Sequence, residues 1–297
     1  MSPVLLLLPL TAQVGPASAL PSATRPYASS LPIEIIEKKD KEDRDRRARE
    51  ARNVALPSRG PDGNGCLAAV EANPERSAEL ARTALGDAIG RERVRAGLCL
   101  GVALSELNRW DEARVAFINA RDAAEATDHA SRARLGAMAG NAALAAGKAG
   151  EALSLLAPAA TDAKIVGDTE LAASIALDRA RGLVAVKQPE EAANALAEAR
   201  AAQPSNPQAW LLSATLSRRQ DKLSQAQAEI EKAAGLAPQD PEIGLEAGVI
   251  AMLSGNEAAA RRSWDSVIAA APQSDAATTA RNYLSQLGAE AAPGKAQ

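Results

Sequence analysis

Four groups of residues in this chain have types that could do chemistry. His129, in EATDHASRA, has Asp128 beside it, a pairing that general acid–base catalysis uses. Cys66 and Cys99 could ligate a metal or join in a disulfide. Carboxylates stand in adjacent pairs, Asp111-Glu112 and Glu190-Glu191, and the glycine-rich GPDGNG (60–65) has the composition of a phosphate cradle.

None of these completes a constellation. His129 is the only histidine, and no serine or cysteine nucleophile can be placed near it, so it reads as a loop residue between elements. The cysteine spacing matches no paired zinc motif. Two buried free thiols are the plainer reading of the pair, while an even count in an oxidising compartment also permits one disulfide. The glycines of GPDGNG open no helix after a strand, and there is no P-loop, no dinucleotide fingerprint and no H-E-x-x-H. No cofactor and no metal is expected, and the chain does not read as an enzyme.

The elements that would position these groups follow from composition and spacing. Apolar residues make up 46% of the 297 but aromatics only 2%, so the core must be built from alanine and leucine, which favour helices. A net charge of −3 sets up no field that would draw in nucleic acid. The apolar run Val4–Leu10 and an A-x-A site at Ala17 to Ala19 suggest an export signal over 1–19, although its start lacks Lys and Arg and Pro9 interrupts the run. The alternative is a Pro-rich N-terminus on a cytoplasmic protein. The run is too short to span a membrane. Residues 20–63 read as a disordered linker followed by a charged helix over 33–52, in which Glu37 with Lys41 and Glu42 with Arg46 form i, i+4 pairs. ALPSRGPDGNG then breaks the chain, and the folded domain is expected over 64–288 with a disordered tail over 289–297.

Within that domain the spacing is periodic. Pro204, Pro238 and Pro272 stand 34 residues apart, as do Ala192, Ala226 and Ala260, and four residues after each alanine comes Leu196, Ile230 or Trp264. Ala199, Ala233 and Val267 hold the same interval. Upstream, Gly101, Leu104, Ala113 and Phe117 repeat the pattern, and Ala152 with Leu156 repeats it again at intervals of 39 and 40 that demand longer helices or loops. Ala78 begins a degenerate first unit, because Arg82 stands where a large apolar residue belongs.

This pattern resembles the tetratricopeptide repeat, a 34-residue helical hairpin with a W-x2-L-G-x2-Y…A-x3-F…P signature. PQAWLLSATLSRRQDKLSQAQAEIEKAAGLAPQD (207–240) matches through Trp210, Ala226, Ile230 and Pro238 but departs at Ser213, Ala214 and Ser217. The next unit, 241–274, restores Gly248 and Gly255. The resemblance covers roughly residues 64 to 287 and implies an all-α fold, a right-handed superhelical solenoid of antiparallel helix pairs. DAATTARNYLSQLG (275–288) reads as a C-terminal capping helix, with Tyr283, Leu284 and Leu287 covering the last unit and Gly288 as its stop. In this setting the acidic pairs fall at the first turn of second helices, where the helix dipole favours them, and are structural.

The resemblance also implies where a partner binds, since first helices line the concave face in such repeats. Carried onto this chain, that face comprises Arg95, Leu98, Cys99 and Val102, then Arg134, Ala137, Met138, Asn141 and Leu144, then Asp178 and Arg181. Gln208, Leu211, Thr215 and Arg218 follow, with Glu242 and Glu246 last. The lysine and asparagine set with which some members clamp a terminal carboxylate is absent, but Arg95, Arg134 and Arg181 could pair with acidic groups of a bound segment. The expected function is a protein–protein interaction adaptor that binds a peptide or protein segment, periplasmic or secreted, in a bacterial envelope. The alternatives are a self-assembling module and an accessory subunit of an envelope complex. Oligomeric state is not legible.

Overall fold

The computed structural model describes residues 64–290, so the expected export signal, the linker with its charged helix and the tail from 291 lie outside the described residues. Among these the chain forms thirteen helices and no strand. They are α1 (Asn64–Ala72), α2 (Pro74–Leu85), α3 (Gly90–Glu106), α4 (Trp110–Ala123), α5 (His129–Ala145), α6 (Ala149–Val166) and α7 (Thr169–Ala185). After them come α8 (Pro189–Ala202), α9 (Pro207–Arg219), α10 (Leu223–Leu236), α11 (Pro241–Leu253), α12 (Glu257–Ala270) and α13 (Asp275–Glu290). No helix among the described residues is long and apolar enough to cross a membrane.

The helices pair as hairpins, α3 with α4 through to α11 with α12, each packed on the next. The wide alanine intervals come from long helices: α5 and α7 have 17 residues and α6 has 18, against 13 in α9 and α11. Every periodic alanine, at 113, 152, 192, 226 and 260, is fully buried, and Phe117, Leu156, Leu196, Ile230 and Trp264 are buried four residues on. Their partners across the hairpin are small. A Cβ added to Gly101 would fall within the Phe117 ring, one on Gly248 within the Trp264 indole, and one on Gly140 against the Leu156 methyls. Phe117, Leu156 and Trp264 are thus knobs seated on bare backbone, which draws the paired helices together.

The turn inside each hairpin also repeats. Asn108, Gly147, Lys187, Asp221 and Gly255 all have positive φ, between 57° and 80°, and each stands five residues before the buried alanine. The next residue's N–H closes back on the first helix, as in Arg109 N to Leu104 O (2.9 Å) and Gln188 N to Leu183 O (2.8 Å). Pro204, Pro238 and Pro272 occupy the turns between hairpins.

The ends differ. At the C-terminal end α13 covers the last hairpin, with Tyr283 and Leu287 buried and the Tyr283 ring 5.1 Å from that of Trp264. The helix runs through Gly288 to Glu290. Gly288 is therefore not the stop expected of it, because Ala289 and Glu290 continue a helical backbone that glycine weakens but does not end. At the N-terminal end α1 has only nine residues, and Cys66 is joined to Cys99 of α3 by a disulfide across 33 residues of sequence. The reading of two free thiols is corrected: their Cα atoms stand 5.9 Å apart, within disulfide reach.

Candidate interaction face

At 100° per residue the two sides of a first helix can be assigned from its glycines. In α5, Gly136 and Gly140 abut Ala159 and Leu156 of α6, which places Arg134, Met138 and Asn141 on the far side. In α3, Gly97 and Gly101 abut Ala120 and Phe117 of α4, which places Arg95, Cys99 and Val102 on the far side. First helices also touch their successors directly, α5 with α7, α9 with α11 and α11 with α13. They therefore lie together as an inner layer, with second helices on the outside.

The expected face divides into interior and surface. Met138, Ala137 and Leu211 are buried in the core, and Leu98, Val102, Leu144 and Thr215 are half-buried, the first two packed against the cluster around Phe117 and Leu135. Arg95 and Arg134 are exposed. Asn141 is 4% exposed, and its Nδ2 has no hydrogen-bond partner among the described residues.

The charged positions further along are tied to one another. Arg181 donates to buried Asp178 one turn earlier at 2.7 Å. Arg218 of α9 makes two bonds to Glu246 of α11, at 2.6 and 3.4 Å, bridging successive first helices. Glu242 and Gln208 sit half-buried in the first turns of α11 and α9. Arg134 has a looser contact, 3.9 Å to Asp168, with its side chain half exposed. Arg95 makes no ion pair among the described residues. Uncompensated positive charge on the inner layer therefore gathers on α3 and α5.

Two buried polar networks were not read from the sequence. Glu229 of α10 is 7% exposed and accepts from Ser217 (2.6 Å), Arg200 (3.0 Å) and Gln225 (3.0 Å), while Arg200 stacks over Trp210 with 5.0 Å to the ring centre. Together they clamp α8, α9 and α10. His129 opens α5 rather than lying in a loop, and its Nδ1 stands 2.7 Å from Asp162 of α6. The second network joins two helices through Asp162, which Arg132 also approaches at 3.8 Å. The acidic pairs Asp111-Glu112 and Glu190-Glu191 do sit in the first turns of α4 and α8. Asp111 is held below the usual carboxylate range first by its hydrogen bond from Lys148, and Glu112 by that from Arg109.

Helical hairpins with a small residue facing a large one, a buried alanine four residues before it and a 34-residue step decide the fold. The fold is that of a tetratricopeptide-repeat-like solenoid. No protein-family model matches the chain, and no curated protein matches it. Solved structures do. PilF of Pseudomonas aeruginosa is 16% identical with a TM-score of 0.57, over 82% of this chain and 99% of that one. BtubC from P. vanneervenii is 16% identical with a TM-score of 0.57, over 68% and 91%. YrrB, a TPR protein with an unusual peptide-binding site, is 18% identical over 69% and 99%, at a TM-score of 0.47. At such identities the likeness concerns the fold alone.

Proposed function

We propose that this chain is a non-enzymatic adaptor that captures an acidic peptide or protein segment on the inner layer at α3 and α5, in the bacterial cell envelope. The observation that carries the reading is the distribution of charge along that layer. Arg181 and Arg218 are engaged by Asp178 and Glu246, whereas Arg95 and Arg134 are exposed with little or no internal compensation. Arginine at such a place offers two parallel donors to a carboxylate. Capture on a preformed helical layer needs no rearrangement of the solenoid. The Cys66–Cys99 disulfide supports a compartment outside the cytosol, where such bonds persist.

Crosslinking pulldown from fractionated host cells tests the reading. The expected result is a partner recovered from the envelope fraction by the wild type and lost with Arg95→Glu/Arg134→Glu. Equal recovery by the double variant, or recovery only from cytosol, counts against it.

A further inference from the structure

The opposite side of the first two hairpins carries a groove that the adaptor reading does not use. It lies among α2, α3 and α4 and has a volume of about 410 Å³, within the range of ligand-binding clefts. Leu85, Leu100, Leu104 and Val115 supply its apolar lining, beside Arg82, Arg93 and Arg114 and the acids Asp111 and Glu112. Asp111 is paired with Lys148, Glu112 with Arg109 and Arg114 with Glu151. It lies at the degenerate first unit: in the later units a large apolar side chain follows the buried alanine by four residues, but after Ala78 that position is Arg82, which lines the groove with its side chain 42% exposed. Val115 is left 47% exposed on its α4 side.

We infer that this groove is occupied by residues 33–37 of the same chain, Ile33-Glu34-Ile35-Ile36-Glu37. Two arguments select this occupant. Three isoleucines interleaved with two glutamates complement an apolar lining beside Arg93, the lining acids Asp111 and Glu112 being held by Lys148 and Arg109. Arg93 makes no ion pair among the described residues, and Arg82 has only a 3.5 Å contact with Glu112. The second argument is reach. The 26 residues from Lys38 to Gly63 separate the segment from Asn64, where α1 begins; with 38–52 in the expected charged helix at about 1.5 Å per residue and 53–63 extended at about 3.3 Å each, they span up to ~60 Å. α2 packs directly on α1, and α3 and α4 follow at helix–helix spacings of about 10 Å, so the groove is well within range. The docked segment would supply at the N-terminal end the apolar cover that α13 supplies at the other, since terminal repeats need a cap.

The test uses the full chain with a benzoylphenylalanine photo-crosslinker in place of Asn119, an exposed residue on the groove wall, in an equal mixture of light and isotopically heavy copies. The expected product is an intramolecular crosslink to residues 33–37, reduced at least fivefold by Ile35→Ser/Ile36→Ser. Restoration of the yield of a weakened Arg93→Glu chain by Glu34→Arg would confirm the charge pairing. Light-to-heavy crosslinks, showing a second copy in the groove, would overturn the proposal. So would crosslinks confined to other residues, or a yield unchanged by the double serine variant.

Discussion

Phe117, Trp264 and Leu156 each rest on a glycine, so single atoms matter there. Gly248→Ala places its Cβ within the Trp264 ring. Alanine's helix preference over glycine is worth about 1 kcal/mol, and forced overpacking costs about 1–3 kcal/mol. The expected outcome is a net loss of about 1 kcal/mol, read from the urea midpoint. Lys187 is the reverse case. Its φ of 62° is a left-handed conformation that Gly147 and Gly255 adopt without strain at the equivalent turns. Lys187→Gly is expected to stabilise the chain by about 1 kcal/mol in the same measurement. These turns show how far the sequence could be read. Gly255 is one of the glycines that unit 241–274 restores, but Asn108, Lys187 and Asp221 share its register without sharing its residue type, so only the backbone reveals the series of turns.

At the scale of elements, caps set where helices begin. Asp128 accepts from the Ser131 N–H at 3.1 Å at the start of α5. Hydrogen bonding from the Ser131 side chain, then from its backbone, holds the Asp128 carboxyl below its ordinary value. A carboxyl with a lowered folded-state pKa contributes stability that is full above its ordinary value of about 4 and is lost as the pH falls through the lower one. Asp128→Ala should cost about 1 kcal/mol at neutral pH. That difference should shrink as thermal melts are repeated below about pH 4. The helices themselves were legible, because the periodic alanines mark the second helices and Pro204, Pro238 and Pro272 mark the last three turns between hairpins. The ion pairs between them were not. Arg218 and Glu246 lie 28 residues apart, and the sequence names both as inner-layer positions without showing that they meet. Gly288 misled for a related reason: a glycine ends a helix only where the residues after it leave the helical path.

At the scale of the whole molecule, repeats contact only their neighbours, so stability is a chain of local interfaces. The N-terminal interface has a degenerate unit and a short α1, and the Cys66–Cys99 bond holds it. Closing a 33-residue loop stabilises by about 4 kcal/mol. Reduction is therefore expected to abolish hydrogen-exchange protection in α1 and α2 while leaving α5 to α13 unchanged, and uniform deprotection would show that the solenoid instead unfolds as one unit. The candidate interaction face was half legible. Register placed Arg95 and Arg134 on the first helices, but only the structure shows that the other inner arginines are already engaged.

The account's central claim is capture of an acidic segment by Arg95 and Arg134, and calorimetric titration tests it most directly. An acidic peptide selected against the wild type from a display library would be titrated into the wild type and into Arg95→Glu/Arg134→Glu. The account predicts at least about 30-fold weaker binding, or about 2 kcal/mol, with the melting temperature of the two proteins essentially equal. Unchanged affinity in a folded double variant would contradict it.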